Sequence, residues 1–285
     1  MQILVTGATG FIGQHLVPFL QQQGFAVHRL VRKRTDLSGH NDHIYDGSLE
    51  SLEKCLRTPF DGIIHLAAYY VNRHTGKDIS DLINSNILFP TQLLETAGQG
   101  KVRWIINTGS YFEHFGDTEY SPINLYAGLK KAFQDIGLFY TQNTPIKFLT
   151  LKITDSYGPN DNRPKILNIW KNHLNKTAPL EMSGGEQYID LIHTFDICRA
   201  FLIMINLIEN KSSKFDYYAI DSTRSMRLKD LAKLVSQITS RSLNIAWGKL
   251  PYSGREFMRP WKNIRPLPDW SPTISLEEGL MDFFK

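Results

Sequence analysis

The chain has 285 residues, 42% hydrophobic and 21% charged, enough to bury the core of one domain plus a smaller lobe. Its formal charge of +4 is slight and no Lys/Arg block exceeds a few residues, which argues against a nucleic-acid partner. Two cysteines without metal-type spacing, Cys55 and Cys198, no membrane-length apolar run and no room for a signal peptide before the first motif predict a cytoplasmic protein with no bound metal and no membrane partner.

A strand is predicted at Ile3–Thr6, followed by glycines at 7, 10 and 13 and an amphipathic helix from His15 to Gln23. That order holds a dinucleotide pyrophosphate: Gly7 makes the tight turn, Gly10 lets the backbone approach the phosphates, and Gly13 lets the helix pack close to the strand. Thr9, Phe11 and Ile12 complete the expected cradle. The next strand, Ala26–Val31, ends in Arg32-Lys33-Arg34 rather than in a ribose-binding carboxylate. A guanidinium grips a 2′-phosphate that a carboxylate would repel, so NADP(H) is expected over NAD(H), with Arg32 and then Arg34 as the grip. A solvated basic turn is the alternative reading. Asp46 and Gly47 follow a third short strand, where they could meet the adenine, although Asp-Gly turns are common on surfaces.

Further strands are predicted at Gly62–Leu66, Trp104–Asn107 and Lys147–Ile153, with helical patterns at Asp78–Ala97 and Pro122–Gln142. Alternating strands and helices predict an α/β fold, a doubly wound parallel (Rossmann) sheet, with ligands at the carboxyl ends of its strands. Leu66, Ala67, Ala68 and Tyr69, then Thr108 and Ser110, then Thr154 should therefore face one crevice. Residues 1–160 read as the dinucleotide-binding domain. Residues 161–285 read mainly as a substrate-binding lobe, with a segment near 190–208 able to return to the main layer.

Tyr126 and Lys130 lie four apart on one helical face, in a helix whose expected start is Ser121-Pro122. A free phenol has a pKa of roughly 10, and a neighbouring ammonium should bring it toward neutrality. Such pairs also occur on surfaces by chance; the position after Asn107-Thr-Gly-Ser110 is what marks this one.

With Gly7-Ala-Thr-Gly-Phe-Ile-Gly13, His65-Leu-Ala-Ala68, Thr108, Tyr126, Lys130, Tyr157-Gly-Pro159, Asp190-Leu-Ile-His-Thr-Phe-Asp196 and the tail Trp270 to Gly279, the chain resembles the extended short-chain dehydrogenase/reductase family over nearly its whole length. Leu125 to Phe133 and Tyr157 to Lys165 are similar to its reductases of nucleotide-linked 4-keto-6-deoxy sugars. The resemblance implies hydride transfer from NADPH to a sugar carbonyl. In it Tyr126 donates the proton, Lys130 holds the nicotinamide ribose and tunes Tyr126, Thr108 hydrogen-bonds the carbonyl oxygen, and Ser110 could share that role. Gly109 and Ser110 stand where sugar dehydratases of the family carry an Asp-Glu pair, and no cysteine follows the Trp104–Asn107 strand as in fucose-synthase-type epimerase-reductases. A 4-epimerase, a reductase of non-sugar carbonyls and a non-catalytic dinucleotide-binding regulator remain as alternatives.

A nucleotide-diphosphate sugar needs cations, and Lys165, Arg224 and Arg255 are the candidates, with Tyr69 on the sugar side. Trp170 and Trp261 could stack a ring or fill a core, His114 could line the sugar pocket, and His193 and Asp196 read as structural. Apolar positions Leu82, Ile83, Leu93, Leu129, Phe133 and Ile136 lie on the two helices that form a homodimer interface in relatives, but one face of each must already meet the sheet.

Overall fold

In a computed structural model, residues 1–33, 41–259, 261–262 and 264–285 are described. The first part runs β1 (Gln2–Thr6), α1 (Gly13–Gln22), β2 (Ala26–Val31), β3 (Asp42–Ile44), α2 (Leu49–Leu56), β4 (Gly62–His65), α3 (Ile79–Ile83), α4 (Phe89–Gly98), β5 (Trp104–Ser110), α5 (Leu125–Asn143) and β6 (Lys147–Ile153). There follow β7 (Asp155–Tyr157), α6 (Ile166–Lys171), β8 (Leu180–Glu181), β9 (Tyr188–Ile189), β10 (Leu191–His193), α7 (Thr194–Asn210), β11 (Phe215–Ile220), β12 (Met226–Arg227), α8 (Leu228–Thr239), β13 (Ile245–Ala246) and α9 (Leu276–Phe284).

Seven strands form one parallel sheet in the order β11-β6-β5-β4-β1-β2-β3. The order reverses between β1 and β4, which opens a crevice at their carboxyl ends. The central strands are nearly all apolar because helices cover both faces. On one face Leu16 and Leu20 of α1 and Phe201, Met204 and Ile205 of α7 pack on Val5 and Leu149. On the other, Leu52 of α2, Leu93 of α4 and Phe133 of α5 pack on Ile63, Ile105 and Phe148. A third core, centred on Trp170, Leu231 and Leu280, lies between α6, α8 and α9.

Three elements differ from the sequence reading. The Asp78–Ala97 helix is interrupted at 84–88 by a π turn, where buried Asn86 donates from Nδ2 to the carbonyls of Tyr69 and Leu82. Helix α5 starts at Leu125, not at Ser121-Pro122, because the Asn124 side chain caps it by accepting the Ala127 N–H at 2.9 Å. Strand β11 is absent from the apolar runs read in the sequence. Its alternation is broken by Asp216, whose carboxylate is held 2.6 Å from Lys211 Nζ and also paired with Arg265.

Helix α5 meets β6 at Gly137. A Cβ there would lie 2.6 Å from the Phe148 ring, whereas at Gly128, about two and a half turns earlier, it would meet nothing nearer than the Tyr120 hydroxyl at 4.0 Å. Alanine should therefore act with opposite sign in one helix. Gly137→Ala is expected to cost about 1–3 kcal/mol by overpacking. Gly128→Ala should gain up to about 1 kcal/mol in helix propensity. Denaturant midpoints check this, and a stabilised Gly137→Ala would show that the contact is not tight.

Candidate active site

Strand β1 delivers Gly7 at φ +68°, a conformation glycine adopts freely, and a Cβ there would lie 2.5 Å from the backbone nitrogen of Ala67. The loop after β4 can cross so closely because it is tied down. Thr6 Oγ1 accepts the Ala67 N–H at 3.3 Å and is hydrogen-bonded to His65 Nδ1 at 2.8 Å. Burial, with the Lys130 charge second, pushes the His65 imidazole down to about 3, so it stays neutral. Gly13 packs against the same turn, since a Cβ on it would lie 2.3 Å from the Gly7 carbonyl oxygen.

The amino end of α1 fits an anion. Its N-cap is Ile12, which has no side-chain acceptor, and the N–H groups of Phe11 and Ile12 make no hydrogen bond among the described residues. Thr9 and Gly10 are exposed beside them. Unpaired donors, a favourable dipole and glycines without Cβ atoms suit a dinucleotide pyrophosphate. Leu66 and Ala67 border this turn through their backbone. Phe11 lies 3.8 Å beneath the Arg163 guanidinium, and His15 Nε2 contacts the Pro159 carbonyl at 3.0 Å, so the loop after β7 leans on the cradle.

Of the other cofactor candidates, Arg32 is exposed just beyond β2, and Arg34 lies outside the described residues. Asp46 is exposed and turned into its own loop. One carboxylate oxygen accepts the Ser48 N–H at 2.9 Å and the Ser48 hydroxyl at 2.6 Å, which holds the carboxyl below its ordinary range. Gly47 beside it has φ +100°. The Thr154 hydroxyl donates to Asp190 at 3.0 Å.

Tyr126 occupies the first turn of α5 and Lys130 the second. Lys130 is 3% exposed, with Nζ 5.7 Å from the Tyr126 ring centre. The Thr108 hydroxyl donates to the His65 carbonyl at 3.1 Å, which brings the ends of β4 and β5 together beside this pair. Burial pulls the Lys130 amine down to about 8, opposed by the Glu113 carboxylate. Tyr126 departs from the sequence reading: burial raises its phenol well above the ordinary range, reinforced by Tyr70 and Glu113. Desolvating a phenolate outweighs the pull of the ammonium in the chain by itself.

A cleft of about 630 Å³ opens beside the pair, with Tyr70, Arg73, Tyr111, Asp155, Lys165 and Arg255 in its wall. The Tyr70 ring stands edge-on to Tyr126, 5.0 Å away. Lys165 donates to Asp155 at 2.8 Å, and Asp155 also accepts the Tyr111 hydroxyl at 3.2 Å. Arg255 lies 4.4 Å over Phe115 and donates to Ser121. Arg224 is outside the wall, gripping Glu277 at 2.7 Å. Tyr69 gives its carbonyl to Asn86, and it is Tyr70 that faces the cleft. Ser110 is buried: its hydroxyl accepts the Phe112 N–H at 3.2 Å and its N–H donates to Glu113 at 3.1 Å.

Both tryptophans pack. Trp170 is fully buried with Nε1 on Met182 Sδ, and Trp261 stacks on buried His114 at 3.7 Å. His193 caps α7 through the Phe195 N–H, and buried Asp196 accepts the N–H groups of Thr273 and Ile274 in the tail. Nothing in the sequence singles out Tyr70. Glu113 carries a signal: Ser110-x-x-Glu113 is a capping-box spacing, and both of its bonds form. Among the described residues no three His, Cys, Asp or Glu side chains gather as metal ligands, and no helix is long and apolar enough to cross a membrane.

The chain is 26% identical to a CDP-abequose synthase of Salmonella muenchen over 284 residues, covering 98% of this chain and 95% of that protein. It is 22% identical to a dTDP-4-dehydro-6-deoxyglucose reductase of Escherichia coli, covering 99% and 96%. Among solved structures, a UDP-glucose 4-epimerase of Thermotoga maritima with UDP-glucose superposes with a TM-score of 0.85 at 23% identity, over 100% of this chain and 97% of that one. The model of the NAD dependent epimerase/dehydratase family matches residues 3–218, and the chain belongs to that family.

Proposed function

We propose that this chain uses NADPH to reduce the keto group of a nucleotide-linked 4-keto-6-deoxy sugar, with Tyr126 as the proton donor. The observation that carries the reading is the pair of half-buried Tyr126 and buried Lys130, 5.7 Å apart, with the Tyr70 ring linking Tyr126 to a cleft that has three cations in its wall. The bound reduced nicotinamide supplies the hydride. Lys130 holds its ribose, Thr108 orients the sugar carbonyl, and Tyr126 passes its phenolic proton to the oxygen as charge develops there. Arg73, Lys165 and Arg255 face the diphosphate. The names of the relatives, a synthase of a CDP-linked deoxysugar and a reductase of a dTDP-linked 4-ketosugar, support this substrate class.

The preference for NADPH rests on Arg32, with Arg34 as a second grip. A homodimer rests on α3, α5 and the π turn. Leu82, Leu93, Leu129 and Phe133 are buried within the chain, and a separate outer set, Ile79, Ile83, Leu88, Leu138 and Phe139, is left exposed for a second copy. Epimerisation at the 4-position is the second reading, since the same phenol can take and return a proton without net oxidation of the dinucleotide.

Tyr126→Phe is expected to cut turnover by roughly 10²–10⁴-fold while the dissociation constant for NADPH stays within about twofold. Steady-state kinetics with a nucleotide-linked 4-keto-6-deoxyhexose, beside fluorescence titration, check this; a fully active variant would remove Tyr126 as the acid. Sugar turnover without NADPH oxidation would favour the epimerase. Arg32→Ser should lower the ratio of kcat/KM for NADPH over NADH by about 10–100-fold, the worth of a charge-assisted bond. An unchanged ratio would leave the 2′-phosphate unassigned.

A further inference from the structure

The loop that joins β7 to α6, residues 158–165, touches both the glycine turn and the cleft. On the cleft side, Asp161, Pro164 and Lys165 of the loop stand in the wall, beside Ser156 and Tyr157 of β7. On the other side, the Arg163 guanidinium lies 3.8 Å from the centre of the Phe11 ring, and the Pro159 carbonyl contacts His15 Nε2 at 3.0 Å. The Phe11 and His15 rings meet edge-on at 5.5 Å, so the two contacts form one patch at the start of α1.

Arg163 is held firmly within its own loop. Nε and one terminal nitrogen donate to the two Asp161 oxygens, at 2.8 and 2.7 Å. The Ser156 hydroxyl and carbonyl accept from the terminal nitrogens at 3.1 and 2.7 Å. The Asp161 side chain is only 2% exposed, and this two-pronged grip is what compensates its buried charge. Asn168 Nδ2 donates to the carbonyls of Asp161 and Arg163 at 2.7 and 2.9 Å, which fastens the loop to α6. Gly158 presses on the start of α7, where a Cβ would lie 2.3 Å from Thr194 Oγ1. Whatever fixes the guanidinium therefore also fixes the Asp161 end of the cleft. A pyrophosphate on the free N–H groups of Phe11 and Ile12 would fix the backbone from which the Phe11 ring projects, and the ring face holds the guanidinium by a cation–π contact. The first ligand to bind then orders the loop, and the second has less conformational freedom to remove.

We infer that Arg163 is a positioning residue that couples the two sites, so that a dinucleotide on the glycine turn tightens the binding of a nucleoside diphosphate in the cleft. It acts through Phe11 on one side and through Asp161 on the other. The inference rests on the dinucleotide reading of the turn and the nucleotide-sugar reading of the cleft.

The test uses the full chain and calorimetric titration of CDP and dTDP, each with and without saturating NADPH. The nucleotide that binds should do so about 5–10-fold more tightly to the loaded protein, and should tighten NADPH by the same factor, because coupling is reciprocal. Phe11→Leu keeps the backbone donors and removes the ring face, so the factor should fall to within about twofold of one. Phe11→Tyr keeps a ring face and should restore it. Arg163→Gln with Asp161→Asn breaks the contact from the loop side without orphaning a charge. Its factor should fall likewise, and adding Phe11→Leu should lower it no further. A wild-type factor of one, or a factor that survives in either folded variant, overturns the role of Arg163. If neither nucleotide binds in either state, the nucleotide-sugar reading fails, and hydrogen exchange decides for the loop. Saturating NADPH should then slow exchange of the amides at 160–163 in the wild type and not in Phe11→Leu. Equal protection in the two proteins overturns the coupling.

Discussion

A buried ammonium organises this active site. Lys130 is placed where water cannot solvate it, between the end of β4 and the first turns of α5, and its amine is pulled down to about 8 as a result. An isolated charge in that position would be strongly destabilising, so the surroundings must compensate. The carboxylate of Glu113 supplies the field, and the neighbouring imidazoles stay neutral so that no like charge is added. The geometry of the strand ends follows from that need.

Close backbone approach makes such an arrangement possible in a parallel sheet. Gly7 lets the loop after β4 pass within contact of the cradle, and Gly13 seats α1 against the same turn. Gly109 leaves space for two charged side chains between β5 and β6. The Thr6–His65–Ala67 bonds then lock the glycine turn to the strand that also presents the His65 carbonyl to Thr108. The glycine turn and the carboxyl ends of β1, β4 and β5 therefore share one hydrogen-bonded frame.

Most of the main sheet is legible in the sequence because its strands are continuous apolar runs that end in small or polar residues, as at Val5-Thr6-Gly7 and Ile106-Asn107-Thr108. Strand β11 is not, because Asp216 and two tyrosines interrupt its pattern and find partners in Lys152, Lys211 and Arg265. The start of α5 is obscured by two competing caps. Ser121-Pro122 has the better sequence signal, but Ser121 is already committed to Glu113 and Arg255, so Asn124 takes the cap. The site divides in the same way. Tyr126 and Lys130 follow from helical spacing, whereas the partners of Lys165, Arg224 and His114 are long-range, and no local rule reports which cation meets a carboxylate. The direction of the Tyr126 shift was equally out of reach, because it depends on how much water the fold removes.

That upward shift bears on the choice of reaction. In the proposed reaction a phenol whose proton is held tightly would enter as an acid. Reduction of a carbonyl begins from that state and uses it directly: charge builds on the substrate oxygen, and the phenol meets it with a proton already in place. Oxidation of a sugar alcohol, the first half of an epimerisation, begins instead from the phenolate, which burial and the Glu113 carboxylate both disfavour. Gly109 sharpens the contrast. An acidic side chain following Thr108 would have to share the space now filled by Lys152 and Glu113. In this chain the nearby carboxylate, Glu113, is buried and paired with Lys152.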